Sequence, residues 1–200
     1  NDALKHPKWK MGKKISIDSS TLMNKVFEVI EAKKIFNIGY DKIDILINPN
    51  SYIHASVIFN DGTIRLLAHE TKMEIPIINS IYGRNKVNYK TKNINLKKIN
   101  NLNFSIPNLK KFKTLRILKI LPYKDTLFET IIITVNDELV DMFLNKKIKY
   151  DQMLSYLFKI INFKNFKKYC NVSPISIDQI YKTRNFVRKF VKNYVVKKNV

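Results

Sequence analysis

HPKWKMGKKISIDSSTLMNKVFEVIEA, residues 6–32, is the stretch that decides the fold of the region around it. Its apolar residues recur at helical spacing on one broad side: Leu22, Met23, Val26, Phe27, Val29 and Ile30. Three polar residues, Asn24, Lys25 and Glu28, fall on the opposite side within roughly 100° of one another. The pattern predicts a single helix that is capped by Ser19 or Asp18 and runs to about Phe36.

The polar side of this helix has two interpretations. A solvated face explains it simply, but asparagine is a poor helix former, and Ala32 and Ile35 on the same side suggest contact rather than open water. Grouped together, an amide, an ammonium and a carboxylate suit an anionic, hydroxylated ligand. Lys25 would meet phosphate as a point charge, Asn24 would bind hydroxyls, and Glu28 could ligate a hard cation.

The segment before the helix carries an imidazole, His6, and the chain's one tryptophan, Trp9, followed by Met11 and Gly12. His6 and Trp9 could be packing residues or loop anchors. A loop with aromatic and titratable groups that leads into a polar helix face is also typical of an active-site lid.

Composition limits the classes of protein. The 200 residues carry a formal charge of +21 and a pI near 9.9, which is typical of nucleic-acid binders, but the lysines are spread along the chain rather than clustered. Abundant Lys, Asn and Ile share A/T-rich codons, so genome bias also explains the charge. A lone Cys170 excludes an internal disulfide. No apolar run reaches the ~20 residues of a membrane span, and no signal peptide is predicted.

Downstream, the pattern predicts a small α/β unit, an arm and a helical bundle. Strands are expected at 43–47, 52–59 and 63–68, with a hairpin turn at Asn60-Asp-Gly62 and a short helix from Pro76 to near Gly83. The polar arm covers 86–108. Four helical segments follow, at 109–121, 126–144, 151–162 and 176–195. The predicted fold class is α+β, with domains at 1–85 and 109–200 joined by the arm.

The opening stretch closely resembles a motif of the 1-deoxy-D-xylulose 5-phosphate reductoisomerase family, HPxWxMGxKIxIDSATMMNKGLExIEA. Looser matches follow at 49–54 (PNSYIH), 61–62, 75–77 and 136–138. The resemblance is strong over 4–32 and loose after about 80. It differs at Ser20, where the family usually has Ala, and at Val26, where it usually has Gly. Asn48 replaces a common His, Gly83 falls near an expected Trp, and TVNDE at 134–138 stands for a pattern nearer NAANE.

The resemblance implies an oxidoreductase of non-mevalonate isoprenoid biosynthesis. It would rearrange and reduce 1-deoxy-D-xylulose 5-phosphate to 2-C-methyl-D-erythritol 4-phosphate, using NADPH and Mg²⁺ or Mn²⁺. The implied substrate-binding residues are His6, Trp9, Ser19, Asn24, Lys25 and Glu28. Among them, His6, Lys25 and Glu28 are the implied catalytic residues, and Glu28 is a metal ligand.

The resemblance also places the cofactor and a supporting residue. Met11 and Gly12 fall where the family meets the nicotinamide cofactor. Trp9 would sit on the lid over the substrate, and His54 would support the phosphate region from behind. A homodimer is implied, without a specific nucleic-acid partner or membrane association. The implied compartment is the bacterial cytoplasm, with a plastid stroma as the alternative.

One part of the family pattern is missing from the chain. The family's Rossmann NADPH-binding domain needs a glycine-rich turn, and the four glycines at 12, 39, 62 and 83 cannot form one. The family's other two metal carboxylates are also missing. Because these parts are missing, we expect a C-terminal half that is inactive alone, and the start at Asn1 rather than Met suggests a cut or incomplete N-terminus. Two other hypotheses stay open at this point: a non-catalytic folded remnant and a basic nucleic-acid-binding module, whose binding would depend steeply on salt.

Overall fold

The computed structural model of the chain describes residues 12–83, 89, 95–100 and 102–199. These residues form two compact units. One contains the described residues up to Asp44 together with those from Asn108 onward, and the other is Ile45–Pro107. The predicted α+β class is confirmed, because eight α-helices accompany one two-stranded sheet within the described residues. The predicted domain boundaries at 85 and 108 stay a prediction.

The first unit opens with two helices where the sequence predicts one. Helix α1 is Lys13–Thr21 and helix α2 is Met23–Phe36. Between them Leu22 adopts a left-handed conformation, with φ 58° and ψ 20°. The Leu22 N–H donates to the Ser19 carbonyl at 3.1 Å, and the Met23 N–H donates to the Thr21 hydroxyl at 3.3 Å. These bonds end α1 locally, so the break needs no glycine or proline.

The predicted cap of this helix is therefore wrong. Ser19 and Asp18 lie inside α1 rather than at its start, which follows Gly12. Asp18 is buried, with only 2% of its surface exposed, and its side chain is turned toward a later helix. A short polar side chain before an apolar run is typical of a cap, but the Asp18 side chain instead accepts a hydrogen bond from Asn136.

The second unit is built on a hairpin. Strands β1 (Ile53–Ile58) and β2 (Ile64–Ala68) pair antiparallel, with Ile58 opposite Ile64. The predicted turn is confirmed: Gly62 has φ +83°, and the Asp61 carboxylate accepts a bond from the Thr63 N–H at 2.8 Å. Both later strand predictions are thus confirmed.

Other elements of the second unit differ from the prediction. The strand expected at 43–47 is wrong, because only Ile47 pairs, in an isolated bridge with Ser105. Helix α3 is Glu74–Tyr82 and begins two residues before the expected Pro76. It ends as expected at Gly83, whose φ is +57°. A short helix, α4 (Leu96–Asn100), lies within the predicted arm.

The remaining helices belong to the first unit. Three predicted segments are confirmed as α5 (Leu127–Leu144), α6 (Tyr150–Ile161) and α8 (Ile177–Asn199). The helix expected at 109–121 is instead a 3-10 helix, Lys113–Ile120. A short α7 (Lys164–Lys167) and a 3-10 turn, Lys168–Asn171, were not predicted.

Helix α5 is the centre of the first unit. Helices α1, α6, α7 and α8 all pack against it. Its side chains Phe128, Ile131, Ile132, Val135 and Leu139 are almost completely excluded from solvent. Each such side chain contributes on the order of 1.5–3 kcal/mol through burial. In spite of this apolar character, none of the helices in the described residues is long and apolar enough to cross a membrane.

The N-terminal cap of α5 contributes to the stability of this central helix, and its contribution can be measured. The Thr126 hydroxyl accepts a hydrogen bond from the Phe128 N–H at 3.3 Å, and Thr126 is itself buried. We expect Thr126→Ala to lower the free energy of unfolding by about 1 kcal/mol, because one N–H of the first turn loses its partner. Urea unfolding followed by circular dichroism measures the change.

Thr130→Ala, in the interior of the same helix, is the matched control. It removes a hydroxyl away from the cap. The free energy of unfolding should stay within ~0.5 kcal/mol of that of the unmodified chain, since alanine favours helix. Equal losses from both substitutions would contradict the capping role of Thr126.

Candidate functional site

The candidate site lies where α1 ends and α2 begins. The break at Leu22 places Asn24 and Lys25 in the first turn of α2, rather than in the middle of one long helix. The first N–H groups of a helix lack intrahelical partners and form its positive end. A helix start of this kind binds anions readily, and a lysine in the first turn adds a full positive charge.

The structure brings Asn24, Lys25 and Glu28 together. The Asn24 amide nitrogen donates to Glu28 Oε1 at 3.3 Å, and Lys25 Nζ donates to Glu28 Oε2 at 2.7 Å. The side chain of Glu28 is 53% exposed and that of Lys25 is 40% exposed. This is a solvent-accessible set of an acid, a cation and an amide, and the ligand roles predicted for its members stay predictions.

One atom of this group is unusual. Asn24 Oδ1 is shielded from solvent, yet no described group forms a hydrogen bond with it. Leaving a buried acceptor unsatisfied costs roughly 1–3 kcal/mol. A hydroxylated ligand at the site would supply such a donor.

Ser19 and Gly12 lie at opposite ends of α1, with Ser19 at the end that meets the site. Ser19 is half-buried on the last turn of α1, and its carbonyl accepts the Leu22 N–H. The Gly12 carbonyl accepts bonds from the N–H and the hydroxyl of Ser16, both at 3.1 Å. No described atom lies within 4 Å of the place where a Gly12 Cβ would stand. His6, Trp9 and Met11 lie outside the described residues.

His54 belongs to the second unit. Its ring stacks on the ring of His69 with centroids 3.6 Å apart, and its Nε2 lies 3.1 Å from the His69 carbonyl oxygen. The supporting role expected of His54 stays a prediction. His69 carries no signal of this pairing in the sequence, because the pairing depends on the β1–β2 register.

The described residues hold few groups that could form a metal site. None of their His, Cys, Asp and Glu side chains gather in groups of three or more that could hold an ion. Glu28 alone offers an exposed carboxylate beside the helix start. It is suited to serve as one ligand of a hard cation, provided that other carboxylates come from outside the described residues.

The opposite end of α2 is fixed by a second charged cluster that the sequence analysis missed. Lys33 and Lys34 contact Asp125 at 2.7 and 3.1 Å, and Lys34 also contacts the buried Glu129 at 2.7 Å. The Tyr40 hydroxyl donates to the other Glu129 oxygen at 2.8 Å. Burial, and then the bond to Glu129, raise the pKa of Tyr40. This cluster anchors α2 to the start of α5.

Two family models match the chain. One, described as the 1-deoxy-D-xylulose 5-phosphate reductoisomerase C-terminal domain, covers residues 1–36. The other, described as the DXP reductoisomerase C-terminal domain, covers residues 69–190. Together they cover the candidate site and most of the helical part.

Curated proteins of the same name resemble the chain. The 1-deoxy-D-xylulose 5-phosphate reductoisomerase of Pelagibacter ubique is 52% identical over 186 residues, which are 93% of this chain and 48% of the relative. The Clostridium novyi enzyme is 38% identical over 197 residues, which are 96% of this chain and 48% of the relative. The chain thus spans about half the length of the curated relatives it matches.

Solved structures agree with this pattern. A crystal structure of DOX-P reductoisomerase in complex with NADPH, fosmidomycin and magnesium has a TM-score of 0.86 and 27% identity, and the match covers 97% of this chain and 48% of that one. The Zymomonas mobilis enzyme in complex with NADPH has a TM-score of 0.77 and 26% identity, over 91% of this chain and 47% of that one.

The exposed group at the start of α2 leads to a stability prediction. Because exposed ion pairs contribute little, we expect Glu28→Gln to change the free energy of unfolding by less than ~0.5 kcal/mol. Urea unfolding at neutral pH measures it. A loss well above 1 kcal/mol would mean that Glu28 serves the fold rather than a ligand.

The cluster at the other end of α2 predicts a pH dependence. The Lys33 hydrogen bond, with help from Lys34, holds the pKa of Asp125 below its ordinary value of 3.8. A carboxyl group with a lowered pKa stabilises the fold above its ordinary value and loses this effect as pH falls through the lower, folded-state pKa. Asp125→Asn should therefore destabilise the chain at about pH 6, and its difference from the unmodified chain should close below about pH 3.8.

Urea unfolding across this pH range tests the prediction. Asp44→Asn is the control, since it removes an exposed carboxylate that is not among the groups that shift the Asp125 pKa. A difference between Asp125→Asn and the unmodified chain that stays constant down to about pH 2 would contradict the electrostatic cause.

Proposed function

Because the chain belongs to the 1-deoxy-D-xylulose 5-phosphate reductoisomerase family, we propose that it supplies the C-terminal half of an active enzyme. The enzyme converts 1-deoxy-D-xylulose 5-phosphate to 2-C-methyl-D-erythritol 4-phosphate, with NADPH as reductant, in isoprenoid precursor synthesis. The observation that carries the proposal is the group of Asn24, Lys25 and Glu28 at the start of α2.

Substrate phosphate binds at the start of α2 in this proposal. The Lys25 ammonium supplies the charge, and the positive end of the α2 dipole adds to it. The Ser19 hydroxyl adds a further donor from α1. The Asn24 amide group binds an oxygen of the substrate. Where that oxygen belongs to a hydroxyl group, the hydroxyl donates to Asn24 Oδ1, which has no partner among the described groups.

Glu28 serves as one of three carboxylate ligands of a Mg²⁺ or Mn²⁺ ion in the proposed enzyme. The ion, when bound, supplies Lewis-acid polarisation of the substrate's oxygens. Asn24 and Lys25 each donate to one Glu28 oxygen, and each oxygen keeps a second lone pair for the ion. The other two carboxylates come from the half of the enzyme that precedes this chain.

The residues before α1 complete the proposed site. His6 would contact the substrate, and Trp9 would belong to a lid that excludes water from it. Met11 and Gly12 would contact the nicotinamide. NADPH, when bound, supplies the hydride, and its Rossmann-type domain lies in the preceding half.

We also propose that the enzyme is a homodimer that pairs through its α/β part and works in the bacterial cytoplasm. Support for pairing comes from the hairpin, where large apolar side chains of both strands are exposed to solvent: Val57, Ile58, Ile64, Leu66 and Leu67. Three of them, Ile58, Ile64 and Leu66, share one face of the hairpin. An exposed apolar face of this kind is typical of sites that another protein covers.

A chimaeric enzyme tests the catalytic proposal. The part of the Pelagibacter ubique relative that precedes the matched region is joined to this chain, and NADPH oxidation is followed with 1-deoxy-D-xylulose 5-phosphate and Mg²⁺ or Mn²⁺. We expect turnover from the chimaera, none from the 200-residue chain alone, and loss of turnover after removal of the metal.

Within this chimaera, Glu28→Gln should lower kcat/KM by more than about 100-fold, because loss of a direct ligand exceeds the 10–100-fold typical of outer-shell partners. Glu31→Gln, an exposed glutamate on the same helix, is the control and should stay within about 2-fold. A folded chimaera without turnover, or one indifferent to Glu28→Gln, would overturn the proposal.

A further inference from the structure

The residues on both sides of Ser19 are tied to distant parts of the chain. Asp18 accepts a hydrogen bond from the Asn136 amide of α5 at 2.8 Å. The Ser20 hydroxyl is 3.1 Å from the Tyr150 hydroxyl of α6. The Thr21 carbonyl accepts a hydrogen bond from Thr114. Three different helical elements therefore converge on one turn of α1.

Asp18 forms a fully partnered buried anchor. Its Oδ2 receives the Lys14 ammonium at 2.7 Å, while its Oδ1 receives the Asn136 amide. Lys14 in turn contacts Asp137 at 2.9 Å. A buried carboxylate with both oxygens partnered has one favourable arrangement, so it fixes that side of α1 against α5.

The Ser20–Tyr150 bond has a defined direction. Ser20 has one hydroxyl hydrogen, which it donates to the Ile17 carbonyl at 2.7 Å. Tyr150 must therefore be the donor in the bond between the two hydroxyls. The Tyr150 ring is held edge-on by Phe143, with centroids 5.7 Å apart. A rigid aromatic side chain thus delivers a donor to the residue next to Ser19.

These ties act on Ser19 through helix geometry. Successive side chains on a helix are separated by about 100°, so Asp18 and Ser20 project on either side of Ser19. With both neighbours held, α1 cannot rotate about its axis without breaking a bond, so the direction of the Ser19 Cα–Cβ bond is set.

We propose that Tyr150, acting through Ser20, is a positioning residue that aims the Ser19 hydroxyl at the substrate phosphate. The proposal rests on the proposed function, in which Ser19 binds that phosphate. The tie is specific to this chain's sequence, because the family pattern usually has Ala at position 20, and Ala cannot accept the bond. A residue of α6 thereby affects the affinity for the substrate through Ser20 and Ser19.

Tyr150→Phe in the chimaeric enzyme is the test, because it removes the donor and keeps the ring. We expect KM for 1-deoxy-D-xylulose 5-phosphate to rise about 3- to 10-fold, which is the effect of one hydrogen bond, with kcat within about 2-fold. Ser20→Ala should give the same rise. The double variant should add nothing further, since both substitutions remove one bond.

Two controls separate positioning from general damage. Tyr181→Phe removes a hydroxyl from an exposed tyrosine on α8 and should leave KM unchanged. Inhibition by unphosphorylated 1-deoxy-D-xylulose should be equally weak in all variants, because it lacks the group that Ser19 binds. Ser20→Ala, a minimal truncation, carries the test if Tyr150→Phe proves unstable.

The outcomes distinguish the two proposals. An unmodified chimaera that is folded but does not turn over substrate overturns the proposed function, and this inference with it. Normal turnover with unchanged KM in Tyr150→Phe and Ser20→Ala overturns the positioning role alone. Additive effects on KM in the double variant also overturn it. So does a fall in both kcat and melting temperature while KM stays unchanged.

Discussion

The Asp18 carboxylate, buried against α5 and bonded there to Asn136, is the constraint from which the arrangement of the first unit follows. A charge removed from water must be fully partnered, and its partners lie on two different helices. That requirement sets the rotation of α1 relative to α5. The position of the Leu22 break, and hence of the start of α2, is then determined by a chain only a few residues long.

Helix α2 divides stability and ligand binding between its two ends. At its C-terminal end Lys33 and Lys34 meet Asp125 and Glu129, and Tyr40 completes the cluster. At its other end, Glu28 and its neighbours form an exposed group whose contribution to folding is small. Because the C-terminal end of α2 is held rigidly, its N-terminal end can carry polar groups that the fold itself does not need. This division is typical of sites supported by a scaffold.

Periodic patterns in the sequence predicted the long helices, the hairpin and the grouping of Asn24, Lys25 and Glu28, because all of these depend on residues close together in the chain. The break at Leu22 escaped prediction, since no glycine or proline marks it and its cause is a set of backbone and hydroxyl bonds. The strand expected at 43–47 has the right residues but pairs only at Ile47. The bond between Asp18 and Asn136 joins positions 118 apart, so no local pattern contains it.

The hairpin has a consequence for how this chain behaves during synthesis. It consists of β1 and β2 alone, so in the described part of the chain each strand pairs on one side and leaves the hydrogen-bonding groups of its other rim open. Two-stranded sheets are only marginally stable in water, and an unpaired strand edge readily pairs with a strand of another chain. An unpaired strand edge of this kind is a template for mispairing. Two copies of the chain that meet while folding can pair at these edges, so crowding during synthesis lowers the yield of native protein.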